Sequence, residues 1–280
     1  MFTDDPVTPT RLEALIGLLR EYPGLTAQQV RSLLQPKGLG EEQGHKAAEA
    51  TLNAAKDLGL ARSDAEGRII PVGEEGATEH SLVLAALDAH VLGSTDVEPY
   101  FALFYAFAHG CTEPDRHRWT NDAWFSEFNE RVFQGERQPN PFNPTKLSGL
   151  YRWFDYAGLG WFDSAGAFQP CPYGRLQRAL PVIFRDRQRL HADEFMRRLA
   201  LACPELDGGV LFLRAHPETP PRTLQRPLAQ ALVELHLDRV LRLHAVPDSQ
   251  GWDMSEVEPP LDKATLRGDR LDEVEVVQAP

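Results

Sequence analysis

Two fifteen-residue stretches of this chain carry one frame. Leu58 to Val72, LGLARSDAEGRIIPV, lies over Ala157 to Cys171, AGLGWFDSAGAFQPC, without a gap. Gly59, Leu60, Asp64, Gly67 and Pro71 match Gly158, Leu159, Asp163, Gly166 and Pro170 at a constant offset, since 158 − 59 and 170 − 71 are both 99. In each copy a helix-like run stops at a glycine suited to a left-handed cap, and an extended stretch then turns through Asp-x-x-Gly into a second one. A chain built this way must twice place a short hairpin directly behind a helix.

The residues upstream of each copy supply the helices. Thr8-Pro9 is an N-cap with proline at the first helical position. Leu12, Leu15, Ile16 and Leu19 share one face of the helix that follows, which Tyr22-Pro23-Gly24 ends. Thr26 caps a shorter helix over 27–35 with Val30, Leu33 and Leu34 inward. A third runs over 41–58 with Ala47, Ala50, Thr51, Ala54 and Leu58 spaced for packing. Ahead of the second copy stand Val97 to His109, rich in aromatics; Asn121 to Phe133; a Gln138-Pro139-Asn140-Pro141 loop; and Asn143 to Tyr156. Three helices and a hairpin are the order of a winged-helix module, so the expected fold is mainly α with small β-hairpins (α+β), as tandem winged-helix modules, two or three in series. The expected boundaries are 1–75 for the first module, 76–94 for a bridging helix, 95–172 for the second, 173–258 for a third, helical or winged-helix-like, and 259–280 for an acidic C-terminal tail. Within 173–258, Gly208 to Leu213 reads equally as strand or short buried helix. Val240 to Val246 reads as a strand turning at Pro247-Asp248-Ser249-Gln250-Gly251 into Trp252-Asp253-Met254.

Charge decides what such modules can bind. Net charge is −12, whereas duplex DNA is held largely by Lys and Arg on phosphates. The first recognition-like helix is net acidic: Lys46 and Lys56 stand against Glu41, Glu42, Glu49 and Asp57. Its hairpin adds Arg62 and Arg68, balanced by Asp64 and Glu66. The second module offers Lys146 and Arg152 against Asp155. Basicity concentrates in Arg175, Arg178, Arg185, Arg187, Arg189, Arg197 and Arg198, which makes this run the main nucleic-acid or partner-binding candidate. The alternative is a solvated face paired with acids elsewhere, such as Asp248 to Glu275, which holds nine acids and three bases.

Motifs for catalysis are missing. The sequence has no G-x-x-x-x-G-K-[ST], no G-x-G-x-x-G at a strand-to-helix junction and no G-x-S-x-G elbow, so the chain is read as a non-enzyme with no cofactor. His109, Cys111 and His117, with Glu113 among them, have zinc-compatible chemistry but no paired ligand spacing, and no metal is assigned. Asp155 with Asp163, or Glu234 with His236 and Asp238, are better explained as turn and helix-end residues. Tyr151, Trp153, Phe154, Tyr156, Trp161, Phe162 and Phe168 are read as helix-to-hairpin core in preference to a base-stacking groove. No apolar run reaches the roughly 20 residues of a membrane span, no signal peptide is evident, and three scattered cysteines suit a reducing compartment. A cytoplasmic location is expected.

One family resemblance covers nearly the whole chain. The Cys203-Pro204-Glu205-Leu206-Asp207-Gly208-Gly209 segment, with Leu235-His236-Leu237-Asp238-Arg239-Val240 and Asp248-Ser249-Gln250-Gly251-Trp252, resembles the DpdG proteins of bacterial clusters that insert 7-deazaguanine derivatives into DNA and restrict unmodified DNA. The resemblance implies a non-catalytic subunit of a DNA-defence complex, beside ATPase, helicase-like or nuclease-like partners, with DNA contact inside the complex. It carries over no functional residues. Acidic charge and architecture alone also liken the chain to the tandem winged-helix subunits of bacterial SMC complexes. A DNA-binding winged-helix transcriptional regulator is the alternative function. A metal-dependent hydrolase would rest only on the His/Cys grouping.

Overall fold

The structure, a computed structural model, describes residues 7–36, 46–93, 98–111, 119–134, 141–246, 250–254 and 270–277. The chain is mainly helical with short antiparallel strand pairs. It divides into two compact units, one of residues 1–101 and 143–156, the other of 102–142 and 157–280.

In the first unit, α1 (Pro9–Glu21) starts where Thr8 accepts the Arg11 amide, and buries Pro9, Leu12, Leu15, Ile16 and Leu19. α2 (Ala27–Leu34) opens on a reciprocal cap: Thr26 accepts the Gln29 amide, and the Gln29 side chain accepts the Thr26 amide at 2.8 Å. Leu33 does not pack inward as expected. It is 52% exposed, because this eight-residue helix buries only Val30. α3 (Lys46–Asp57) buries Ala48, Thr51, Leu52, Ala54 and Ala55; of the expected face Thr51, Ala54 and Leu58 are buried, while Ala47 and Ala50 are half-buried. The proposed start of that helix at 41 lies outside the described residues. β1 (Ala61–Ser63) and β2 (Ile69–Pro71) form the hairpin, and the Ile69 amide donates to Leu25 O at 2.7 Å, so the α1–α2 connection adds a rung at Thr26 opposite Arg68. α4 (Glu79–Leu87) follows, closing in a wider π turn over Asp88–Leu92.

α5 (Pro99–Gly110) contributes its first residues to this unit and the rest to the second. Among the described residues it is followed by α6 (Asn121–Phe133) and α7 (Pro144–Tyr156). α7 groups with the first unit, where Phe154 meets the Phe101 ring edge-on at 4.9 Å and the Tyr156 hydroxyl donates to Glu13 at 2.7 Å. The compact units therefore cut across segment 95–172.

The second unit is built on an aromatic core: Phe104 stacks on Phe142 with centroids 5.1 Å apart, and Phe107 packs edge-on to Trp124 and Phe128. Its hairpin, β3 (Gly160–Phe162) and β4 (Phe168–Pro170), repeats the bonding of the first. Asp64 Oδ1 accepts the amides of Glu66 and Arg68 at 3.0 and 2.8 Å; Asp163 Oδ1 accepts those of Ala165 and Ala167, both at 2.9 Å. Gly59 and Gly158 take φ of 67° and 64°, Gly67 and Gly166 76° and 80°. Ala61 pairs with Pro71 as Gly160 pairs with Pro170. The shared frame is thus a conformational one: the glycines supply left-handed φ and the aspartates tie each turn.

Beyond it come α8 (Tyr173–Ile183), β5 (Arg189–His191), α9 (Ala192–Ala202), α10 (Val210–Ala215), α11 (Arg226–Leu237) and β6 (Leu241–His244). The ambiguous Gly208 to Leu213 stretch enters a helix at Val210. Gly209 permits this, because a Cβ there would stand 2.3 Å from the Pro204 carbonyl, which the Leu211 and Phe212 amides reach. The expected hairpin from β6 into Trp252 does not form. β7 (Trp252–Asp253) pairs with β8 (Arg270–Leu271), while β9 (Glu273–Val276) runs antiparallel between β5 and β6 as the middle strand of a three-stranded sheet. The segment 259–280 read as an acidic tail therefore supplies β8 and β9. Its Leu271 and Val274 are fully buried, so burial there outweighs the acidic composition. Residues 247–249 and 255–269 lie outside the described residues.

Candidate functional site

The arginine run of α8, β5 and α9 does not present one basic face. Arg175 points inward: Nε lies 2.9 Å from Glu205 Oε1 and Nη2 donates to Ala202 O at 2.7 Å. Arg178 is half-buried and reaches Ala157 O. Arg189 pairs with Glu273 on β9. Arg197 chelates Glu194, and Arg198 joins Glu194, Asp186 and Ile183 O. Of the seven, Arg185 and Arg187 are exposed with no side-chain hydrogen bond or ion pair among the described residues, and Arg187 lies in the field of Asp186.

Glu194 records the density of this pairing. Hydrogen bonds from Arg197 and then Arg198 pull its carboxyl down to about 2. A depressed carboxyl contributes stability above its unfolded value that is lost as pH falls through the folded one. Glu194→Gln should therefore flatten the acid limb of the stability curve between the ordinary glutamate range and about pH 2. Urea midpoints across that window check this, and an unchanged acid limb would show that the pairs contribute nothing in solution.

Elsewhere, Arg68 is held by Asp64 and Glu66. Lys146 is buried with Nζ 4.6 Å from the Tyr100 ring centre. Lys46, Arg62 and Arg152 are exposed and Lys56 half-buried.

The His/Cys grouping also turns inward. His109 is fully buried, with Nε2 2.6 Å from Asp207 Oδ2, while Asp207 Oδ1 accepts the Gln225 amide ahead of α11. The Cys111 thiol donates to Phe107 O. His117 and Glu113 lie outside the described residues, and among those described no three His, Cys, Asp or Glu side chains gather as a metal site. Asp163 ties its turn as expected. Asp238 accepts from Tyr173, His236 Nδ1 accepts the Leu243 amide, and Glu234 accepts from Gln230, so the three do not converge on one another.

Of the aromatic stripe, Trp153, Phe154 and Phe168 are buried, but Trp161 and Phe162 are exposed. Trp161 sits opposite Gln169, and Phe162 opposite Phe168, whose ring it meets at 5.7 Å; both stay open to solvent although Leu159 and Phe168 are covered. Trp161 instead walls a cleft of about 230 Å³ with Gln169 and Cys171 on one side and Arg226, Gln230 and Glu234 along α11 on the other. Sequence reasoning missed this cleft. Its signal is the four-residue spacing of Arg226, Gln230 and Glu234, which makes one polar stripe on a helix whose other residues up to Leu235 are buried. Glu234 and Asp238 place negative charge at the C-terminal end of α11. The Tyr173 hydroxyl is pushed up to about 12 by its hydrogen bond to Asp238, then by burial and by the Asp238 and Glu234 charges. Burial, with a contribution from Glu234, raises the Cys171 thiol.

These features define a mainly helical α+β protein with two equivalent helix-backed hairpins. A family model described as DpdG-like matches residues 2–249, and the chain belongs to that family. Membership associates it with the Dpd 7-deazaguanine modification system and its multi-gene cluster. Neither the curated proteins nor the solved structures yield a match. Among the described residues no helix is long and apolar enough to cross a membrane.

Proposed function

We propose that the chain is a non-catalytic subunit of the Dpd restriction machinery, whose winged-helix modules hold partner proteins and which meets DNA only inside that assembly. The carrying observation is the fate of the arginine run: most of the cations that phosphates would need are already bound to the chain's own carboxylates and carbonyls. A net charge of −12 further opposes long-range attraction to DNA.

The module reading, with 1–75, 95–172 and 173–258 in series around a bridge at 76–94, draws support from the helix–helix–helix–hairpin order of the first unit, its extra rung at Thr26, and the equivalent hairpin 99 residues on. The partners fitting this role are the ATPase, helicase-like or nuclease-like subunits of such a complex.

The direct test is a duplex titration of the isolated chain at several salt concentrations, beside Arg185→Glu/Arg187→Glu. The expected result is weak binding that the variant barely alters. Every phosphate that the variant ceased to neutralise would take roughly 0.9 from the log–log salt slope. Tight, salt-sensitive binding to a specific duplex, abolished in the variant, would make the transcriptional-regulator reading the better one.

A further inference from the structure

We propose that the cleft between β3–β4 and α11 holds an arginine side chain from a basic segment of a partner protein. The proposal deepens the docking role above and rests on it. Trp161 presents an indole that is 52% exposed although it walls a cavity. An indole face is the best aromatic surface for a cation. Glu234 supplies the counter-charge, its Oε1 steadied by Gln230 Nε2 at 3.2 Å. It sits in the last turn of α11, at the negative end of the helix dipole. Asp238 adds charge just beyond, oriented by the Tyr173 hydroxyl at 2.7 Å.

Arg226 does not cancel this field. It lies two turns away, roughly 12 Å along the axis at 1.5 Å per residue, and is engaged within the chain. The apolar wall of Pro170, Pro227 and Ala231 suits the methylene stem of a long side chain. A guanidinium fits better than an ammonium, since one planar group can stack on the indole while its edge forks onto a carboxylate. A partner rather than a second acidic copy is the occupant, because the chain is net negative and a basic segment complements both the cleft and the whole.

The test labels the five tryptophans of the full chain with fluorine, assigns Trp161 by Trp161→Phe, and titrates capped Gly-Arg-Gly, Gly-Lys-Gly and Gly-citrulline-Gly peptides by NMR. The arginine peptide is expected to shift the Trp161 resonance, with lysine several-fold weaker and citrulline without effect. Glu234→Gln should cost about tenfold in affinity with the thermal melt unchanged. Citrulline matching arginine, Glu234→Gln binding like the parent, or a guanosine nucleotide shifting Trp161 where the arginine peptide does not, would each overturn the proposal. Purification from the native host separates it from the broader reading. Partners retained in full by Trp161→Ala/Glu234→Gln would refute this cleft and leave docking intact, whereas a parent chain that purifies alone would remove the docking role itself.

Discussion

Arg175→Ala is expected to lower the unfolding free energy by about 3–5 kcal/mol, a large part of what a domain has. Arg175 is 4% exposed and its partner Glu205 fully buried. Removing the guanidinium takes the opposite charge from beside a fully buried carboxylate and the donor from Ala202 O at the end of α9. The carboxylate must then be protonated, drag water inward or break the packing. The double variant Arg175→Met/Glu205→Gln should recover most of the deficit, because it removes both charges while keeping the volume. Urea unfolding of the two variants beside the parent decides the matter. If Arg175→Ala keeps full stability and weakens partner or DNA binding instead, the residue is a contact after all and the buried pair is not formed in solution.

That arginine marks the limit of what the sequence reveals. Helix starts and hairpins are legible because their determinants are local: Thr8-Pro9 and Thr26-x-x-Gln29 cap from within a few residues, and the Asp-x-x-Gly turns close on their own amides. A charge run carries no such local information. Arg175, Arg178 and Arg189 look alike along the chain, yet one faces Glu205, one a backbone carbonyl and one a strand from near the C-terminus. The neighbours of Arg175 do hold a hint, since Leu176, Ala179 and Leu180 put it beside the apolar face of α8. Trp161 fails the other way: a large aromatic is usually core, and only the shape of the ribbon on α11 leaves it open. The cleft therefore needs coordinates, because Trp161 and Glu234 are distant in sequence.

The C-terminal segment carries the second large expected effect. Deleting residues 270–280 should dismantle the sheet of the second unit, with a fall in ellipticity and rapid proteolysis on either side of β5 and β6. Among the described residues β9 is the strand that bridges these two, and Leu190, Leu241 and Leu243 are buried beside it. A subtler pair of variants separates a strand from a solvated acidic tail. Val274→Asp places a charge at a fully buried position, which should cost about 3 kcal/mol or more. Val277→Asp adds the same charge three residues on, where the side chain is 42% exposed, and should stay within about 0.5 kcal/mol. A tail that merely keeps the protein in solution would tolerate both equally. Alternation of acidic and apolar residues through Glu273, Val274, Glu275 and Val276 is the period of a half-buried strand, and Val274 settles inward because β5 and β6 offer it a strand edge on each side. Two of the acids that suggested a tail, Glu273 and Glu275, are the outward half of that pattern and meet Arg189, Arg242 and His244, whereas Asp272 is buried and accepts the Val246 amide.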